Sequence, residues 1–146
     1  MCLGVTRPMD ALPASKLSPG ELQELRKVYA DLVGFVPPRI AARTDLLSRL
    51  DPEGLHLQEQ LRRHFMYPAC FDIKTAQLML FGMLLMNLQD AAKIHATAAR
   101  RAGASWEELS ATVGLAFLFR GLSAANVGSQ ILQEIALAEH EAGRKP

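Results

Sequence analysis

A histidine set among alanines is where residue type and spacing in this chain point most directly to chemistry. On a helical wheel His95 falls beside Ala91, Ala98, Ala99 and Ala102, with Lys93, Thr97 and Arg100 on the other side. The imidazole is therefore expected to face inward with small neighbours, which let another helix approach and leave room for a ligand. An imidazole titrates near neutrality, so it can move protons or orient a water. The alternative is a core histidine bonded to a carbonyl. In the preceding apolar segment Gln77 shares a stripe with Phe81, Leu84 and Leu88, and it meets His95 if the two segments form a helical hairpin. An amide there can hold a water or a substrate carbonyl, but it cannot accept a proton as a carboxylate would. It can equally serve a backbone group.

Cys70 stands just before a helix start at Asp72, where amide dipoles favour a reactive thiol. It is a candidate peroxidatic residue, or else a small structural hydrophobe. His95, Gln77 and Cys70 are thus the candidate catalytic residues. Tyr67, Phe81, Leu88 and Ala91, their neighbours in sequence or on the same stripes, are the expected substrate contacts. His64, Cys70 and Asp72 lack compact metal-ligand spacing, so no metal is expected. Arg39, Arg43 and Arg120 can bind a carboxylate or simply solvate a face. No Walker loop, nucleophile elbow or dinucleotide fingerprint is present, and no cofactor is expected.

The elements that must position these groups are all helical. Ser18-Pro-Gly-Glu21 is a capping box opening a helix striped by Leu22, Leu25, Tyr29 and Leu32, which Gly34 ends and Pro37-Pro38 keeps from resuming. Arg39 to Leu50 reads as a second helix. A third starts at Asp51-Pro52-Glu53, carries Leu57, Leu61 and Phe65 at four-residue intervals, and stops near Tyr67-Pro68. Asp72 caps a fourth, apolar nearly all round, running to about Leu88. A fifth spans Asp90 to Ala102 and ends at Gly103. Ser105-Trp-Glu-Glu108, another capping box, opens a sixth, and Val127, Ile131 and Ile135 stripe a last one ending near Ala142-Gly143. The expected class is all-α, with six or seven helices. A domain of this size has little room to enclose one helix fully, so the fourth or sixth helix is expected at a subunit contact.

The 146 residues suit one domain, residues 18–146, behind an extended N-terminal arm of residues 1–17. Sixteen Lys plus Arg against fifteen Asp plus Glu leave a net charge of +1 and no field to draw nucleic acid or anionic lipid. The two cysteines, Cys2 and Cys70, form no framework and fit a reducing cytoplasm. Pro8, Asp10 and Pro13 break up any secretory signal, and the longest apolar run, Leu78 to Met86, is shorter than the ~20 residues that span a bilayer.

Between about Tyr29 and Ile135 the chain resembles the carboxymuconolactone decarboxylase family, which includes alkylhydroperoxidase D-like proteins. The matching residues are Gly-Phe-Val-Pro-Pro-Arg-Ile at 34–40, Asp-x-Lys-Thr at 72–75, the His95 helix with Arg-Ala-Gly-Ala at 101–104, and the Glu107-Glu108-Leu109 helix start. The resemblance implies an alkylhydroperoxidase D-like helical bundle, assembled as a homo-oligomer, trimeric or hexameric, with sites near subunit contacts and a small-molecule substrate. In the peroxidase-like branch a Cys-x-x-Cys pair precedes the histidine by seven and four residues, positions held here by Leu88 and Ala91. That branch also carries a Glu near the start of the apolar helix, for which Gln77 is the nearest match with a one-residue gap. The decarboxylase branch needs no cysteine pair, and there the resemblance implies cofactor-free proton transfer on a small organic acid or lactone.

Overall fold

A computed structural model describes residues 11–143. Among them are seven helices: α1 (Pro19–Val33), α2 (Pro38–Leu50), α3 (Pro52–Met66), α4 (Ile73–Met86), α5 (Ala91–Arg101), α6 (Trp106–Arg120) and α7 (Leu122–Glu141). No strand occurs among the described residues, so the all-α expectation holds. The helices group into two compact units, one ending at His64 and the other starting at Phe65. Of the N-terminal arm, residues 1–10 lie outside the described residues, and Cys2 with them. The remainder is tied to α2: the Lys16 amide donates to the Ser48 carbonyl at 2.8 Å and Arg49 donates to the Pro13 carbonyl at 2.6 Å.

The first unit is held together largely by polar side chains. The expected Ser18–Glu21 capping box forms at the start of α1. Arg26 on α1 reaches α2, donating to Thr44 Oγ1 at 2.7 Å, the Ala41 carbonyl at 2.9 Å and Asp45 at 2.6 Å. On α3 the buried residues are Leu55 and Glu59, whereas Leu57, Leu61 and Phe65 are exposed. The four-residue apolar stripe of the sequence therefore points away from this unit's interior. The interior is served by the face on which a carboxylate follows a leucine.

The second unit has an aliphatic core. Phe81 and Leu85 of α4 pack with Ala92, Ala96 and Ala99 of α5, Leu109 and Val113 of α6, and Ile131 and Ile135 of α7. The helices approach closely because small residues stand at the crossings. A Cβ built on Gly128 of α7 would lie 2.7 and 2.8 Å from the two Val113 methyls and 2.9 Å from a Leu85 methyl. No helix among the described residues is long and apolar enough to cross a membrane.

The α4–α5 hairpin is the part of this unit that bears on function. Asp72 caps α4 by accepting from the Thr75 amide at 2.7 Å. At the other end α4 stops at Met86, two residues short of the expected limit. Leu88 takes a left-handed conformation, φ 52°, and the Gln89 and Leu88 amides donate back to the Leu84 and Leu85 carbonyls, both at 3.0 Å. This is a Schellman ending built on leucine. The usual penalty for such a residue is ~1–2 kcal/mol, and the hairpin carries it to bring α5 back along α4.

Candidate functional site

The hairpin sets Gln77 of α4 against His95 of α5. Gln77 is fully enclosed at 0% exposure, on the face that also buries Ala76, Phe81 and Leu85. His95 is half-buried. The buried residues of α5 are Ala92, Ala96, Ala98 and Ala99, and on the helical wheel His95 falls between Ala98 and Ala99 on that arc. Ala102, expected beside His95 on the inner side, is exposed. His95 thus stands within the inward arc of α5, half-buried where the alanines beside it at 98 and 99 are enclosed.

The Gln77 Oε1 to His95 Nδ1 distance is 2.7 Å. With the amide in this orientation its oxygen can only accept, so Nδ1 is the donor, and in the neutral form of the ring Nε2 then bears the lone pair. That is the tautomer a proton-accepting histidine requires. Gln77 Nε2 is buried and has no hydrogen-bond partner among the described residues. A buried amide donor left unmatched costs about 1–3 kcal/mol, which a leucine at this position would not incur.

The other sequence candidates are placed differently. Phe81 lies at the centre of the second unit's core. Leu88 and Ala91 are half-buried at the hairpin turn and the start of α5, and Tyr67 is half-buried in the α3–α4 connection. Cys70, in that same connection, is an exposed free thiol. The first-turn amide of Thr75 is already taken by Asp72, whose carboxyl is held below its usual range by that backbone hydrogen bond. Among the described residues no three His, Cys, Asp or Glu side chains converge as a metal group. Arg43 does bind a carboxylate, but the carboxylate belongs to this chain.

That carboxylate is Glu59, and its surroundings were not anticipated from the sequence. Only 2% exposed, it accepts from the Tyr29 hydroxyl at 2.7 Å, from the Arg43 guanidinium, and from Arg62 Nε at 2.9 Å. Arg43 also donates to the Tyr29 hydroxyl at 3.0 Å, and the Arg62 guanidinium lies 4.3 Å from the centroid of the Tyr29 ring. Burial alone would raise the Glu59 carboxyl, yet the hydrogen bonds from Arg43, Tyr29 and Arg62 outweigh it and hold the group below its ordinary value. Tyr29 is pushed up to about 12, first by burial and then by its bond to Glu59. With both carboxylate oxygens engaged by donors, Glu59 is suited to tie α1, α2 and α3 together rather than to act as a base. The sequence signal was Glu59 four residues after Leu55 and three before Arg62, on the side of α3 away from the Leu57–Leu61 stripe.

On the opposite side of α4 from Gln77, a groove of about 520 Å³ runs between α4 and α6. Lys74, Thr75 and Glu108 line its polar end, and Met83, Met86, Leu115 and Phe119 its apolar end. Lys74 donates to Glu108 at 2.7 Å, while Glu108 also completes the Ser105 capping box at the start of α6. Searches against protein-family models, curated proteins and solved structures found no match to the chain.

Proposed function

We propose that this chain is a small enzyme of the carboxymuconolactone decarboxylase type, in which His95 moves a proton in a cofactor-free lyase reaction on a small organic acid or lactone. The observation that carries the reading is the 2.7 Å contact between Gln77 Oε1 and His95 Nδ1. It fixes the ring and directs the lone pair of Nε2 away from Gln77. Loss of carbon dioxide from an acidic lactone leaves a dienolate, and a positioned imidazole can deliver or remove the proton that this intermediate exchanges. Gln77 is a positioning residue here. An amide that is only half satisfied by hydrogen bonding adds weight to a role beyond packing, since a core built for stability alone favours apolar residues at such a place. The resemblance adds a homo-oligomer, trimeric or hexameric, to this reading.

The test is a screen of purified protein against lactones and hydroxy acids, followed by His95→Ala on the best substrate. A general acid or base contributes about 10²- to 10⁴-fold, so the variant is expected to lose at least a hundredfold in turnover. Equal turnover by His95→Ala and wild type removes the role. The exposed thiol of Cys70 supports a second reading, an alkylhydroperoxidase-type antioxidant activity. Peroxide consumption with a thiol donor, lost in Cys70→Ser, would favour it over the first.

A further inference from the structure

Three of the chain's six methionines, Met79, Met83 and Met86, fall on one face of α4. At ~100° per residue they lie within an arc of about 60°, and they span about 10 Å along the axis, two helical turns. All three are exposed, at 42%, 55% and 38%, and none is among the partly buried side chains packed on the core of this unit. Their sulfurs are thus not engaged in filling core gaps, the commonest use of methionine.

All three line the same groove between α4 and α6. The fourth position of their patch, three residues after Met79 and four before Met86, is Gly82. With no side chain there, nothing stands between the two outer methionines, and a Cβ at Gly82 would already come to 3.2 Å from the Thr112 methyl. Met83 has both of them as neighbours, at the spacings that bring helical side chains within about 5–6 Å at Cβ. An unbranched thioether with three rotatable bonds covers the remainder, so the three sulfurs can turn to one point above Gly82.

The chemistry of that donor set is narrow. Thioether sulfur is neutral, soft and polarisable; Mg²⁺ and Ca²⁺ take oxygen ligands, and zinc takes thiolate, imidazole or carboxylate. Monovalent copper is the biological cation that thioethers select. The charged side chains of the groove are committed to each other, Lys74 donating to Glu108 at 2.7 Å, so no carboxylate among these donors favours a harder ion. The facing wall makes the contrast: α6 offers Leu115 and Phe119, which supply apolar surface and no donor atom.

We propose that Met79, Met83 and Met86 form a binding site for one Cu(I) ion, held by their three thioether sulfurs on the outer face of α4. The site does not rest on the acid–base reading, since neither Gln77 nor His95 lines this groove.

Silver(I), a redox-stable ion of the same charge and softness, is the probe. It is titrated in chloride-free buffer into the full-length chain carrying Cys2→Ser and Cys70→Ser, which removes the competing thiols. NMR of the methionine methyl groups reads each sulfur separately, with Met66 of α3 as the internal reference. The signals of Met79, Met83 and Met86 are expected to move together along one curve that saturates at one ion per chain, before Met66 responds. Cu(I) under anaerobic ascorbate should give the same pattern, and Zn²⁺ none. Met83→Leu, added to the same chain, keeps the volume of the side chain while removing the shared sulfur, and circular dichroism checks that the helices persist. A partner that merely supports a metal ligand is worth about 10- to 100-fold in affinity, so losing the ligand itself should raise the dissociation constant about tenfold or more. Three methyls that respond one by one, or no earlier than Met66, overturn the proposal. So does a Met83→Leu chain that binds as tightly as its parent, or Zn²⁺ acting as Ag(I) does.

Discussion

Gln77 Oε1 and His95 Nδ1 meet at 2.7 Å across the α4–α5 hairpin, one side chain fully enclosed and the other half-buried. The enclosed partner cannot turn away without breaking core packing, so it sets the tautomer and direction of the more accessible ring. The consequence can be read without knowing a substrate. Gln77→Glu puts a carboxylate where the amide oxygen is, and an anion beside an imidazole favours its protonated form. His95 should titrate at higher pH in the variant than in wild type by a unit or more, which is about 1.4 kcal/mol of coupling. Relative to wild type, the added stability is present below the unfolded-state pKa of the histidine and is lost as pH rises through the raised folded-state value. Titration of the imidazole signals by NMR measures the shift. Identical titrations would mean that the two side chains do not meet in solution.

This pairing was partly legible in the sequence. Wheel positions put Gln77 on an apolar stripe and His95 on the inward side of its helix, so that they meet if the two helices form a hairpin, and the capping residues Ser18, Asp72 and Ser105 marked three helix starts because their side chains bond the first-turn amides directly. The end of α5 was announced by Gly103, which takes the left-handed conformation at φ 97°. The end of α4 was not. Leu88 adopts the same conformation without being glycine, and only the tertiary return of α5 makes it do so, which no local residue type encodes. The inner face of α3 was hidden for a related reason. Periodicity favours the stripe with more apolar residues, Leu57, Leu61 and Phe65, but in this unit Glu59 is buried, and a buried carboxylate becomes tolerable only when distant donors converge on it.

Removing that carboxylate should be costly. Glu59→Gln leaves Arg43 and Arg62 facing a neutral amide in a largely dry setting, and breaking a buried pair in this way destabilises by about 3 kcal/mol. The sign of the pH dependence follows from its direction. A carboxyl held below its ordinary 4.5 contributes stability that is fully present above that value and is lost as pH falls through the folded-state pKa. The urea midpoint of wild type should therefore drop more steeply on acidification than that of Glu59→Gln. Parallel acid limbs for the two proteins would remove Glu59 as the source.

Tyr29 acts at the other end of the scale. Its hydroxyl is raised from 10.0 to about 12, so the unfolded chain gives up this proton first as pH rises. Stability from Tyr29 is present below pH 10 and is lost between there and about 12. Tyr29→Phe keeps the ring beneath Arg62 while deleting the hydroxyl, and it should cost about 1 kcal/mol at neutral pH. The same variant should show a shallower alkaline loss than wild type when urea midpoints are compared across pH 9 to 12.

Gly128 tests the packing that supports α4 from behind. Gly128→Ala brings a methyl within 3 Å of Val113 and Leu85, closer than real side-chain contacts fall, and the neighbours are themselves core residues with little freedom to retreat. Overpacking of this kind costs about 1–3 kcal/mol. A glycine-to-alanine change on an open helix face would instead stabilise by up to about 1 kcal/mol, so the sign alone separates a close helix crossing from a loose one. Val113→Ala, which opens a cavity when made alone, should relieve the clash when combined with Gly128→Ala. The double variant is expected to lose less than the sum of the single losses, by about 1 kcal/mol or more, in thermal or urea unfolding. Strict additivity would show that α7 does not press on α6 at this point.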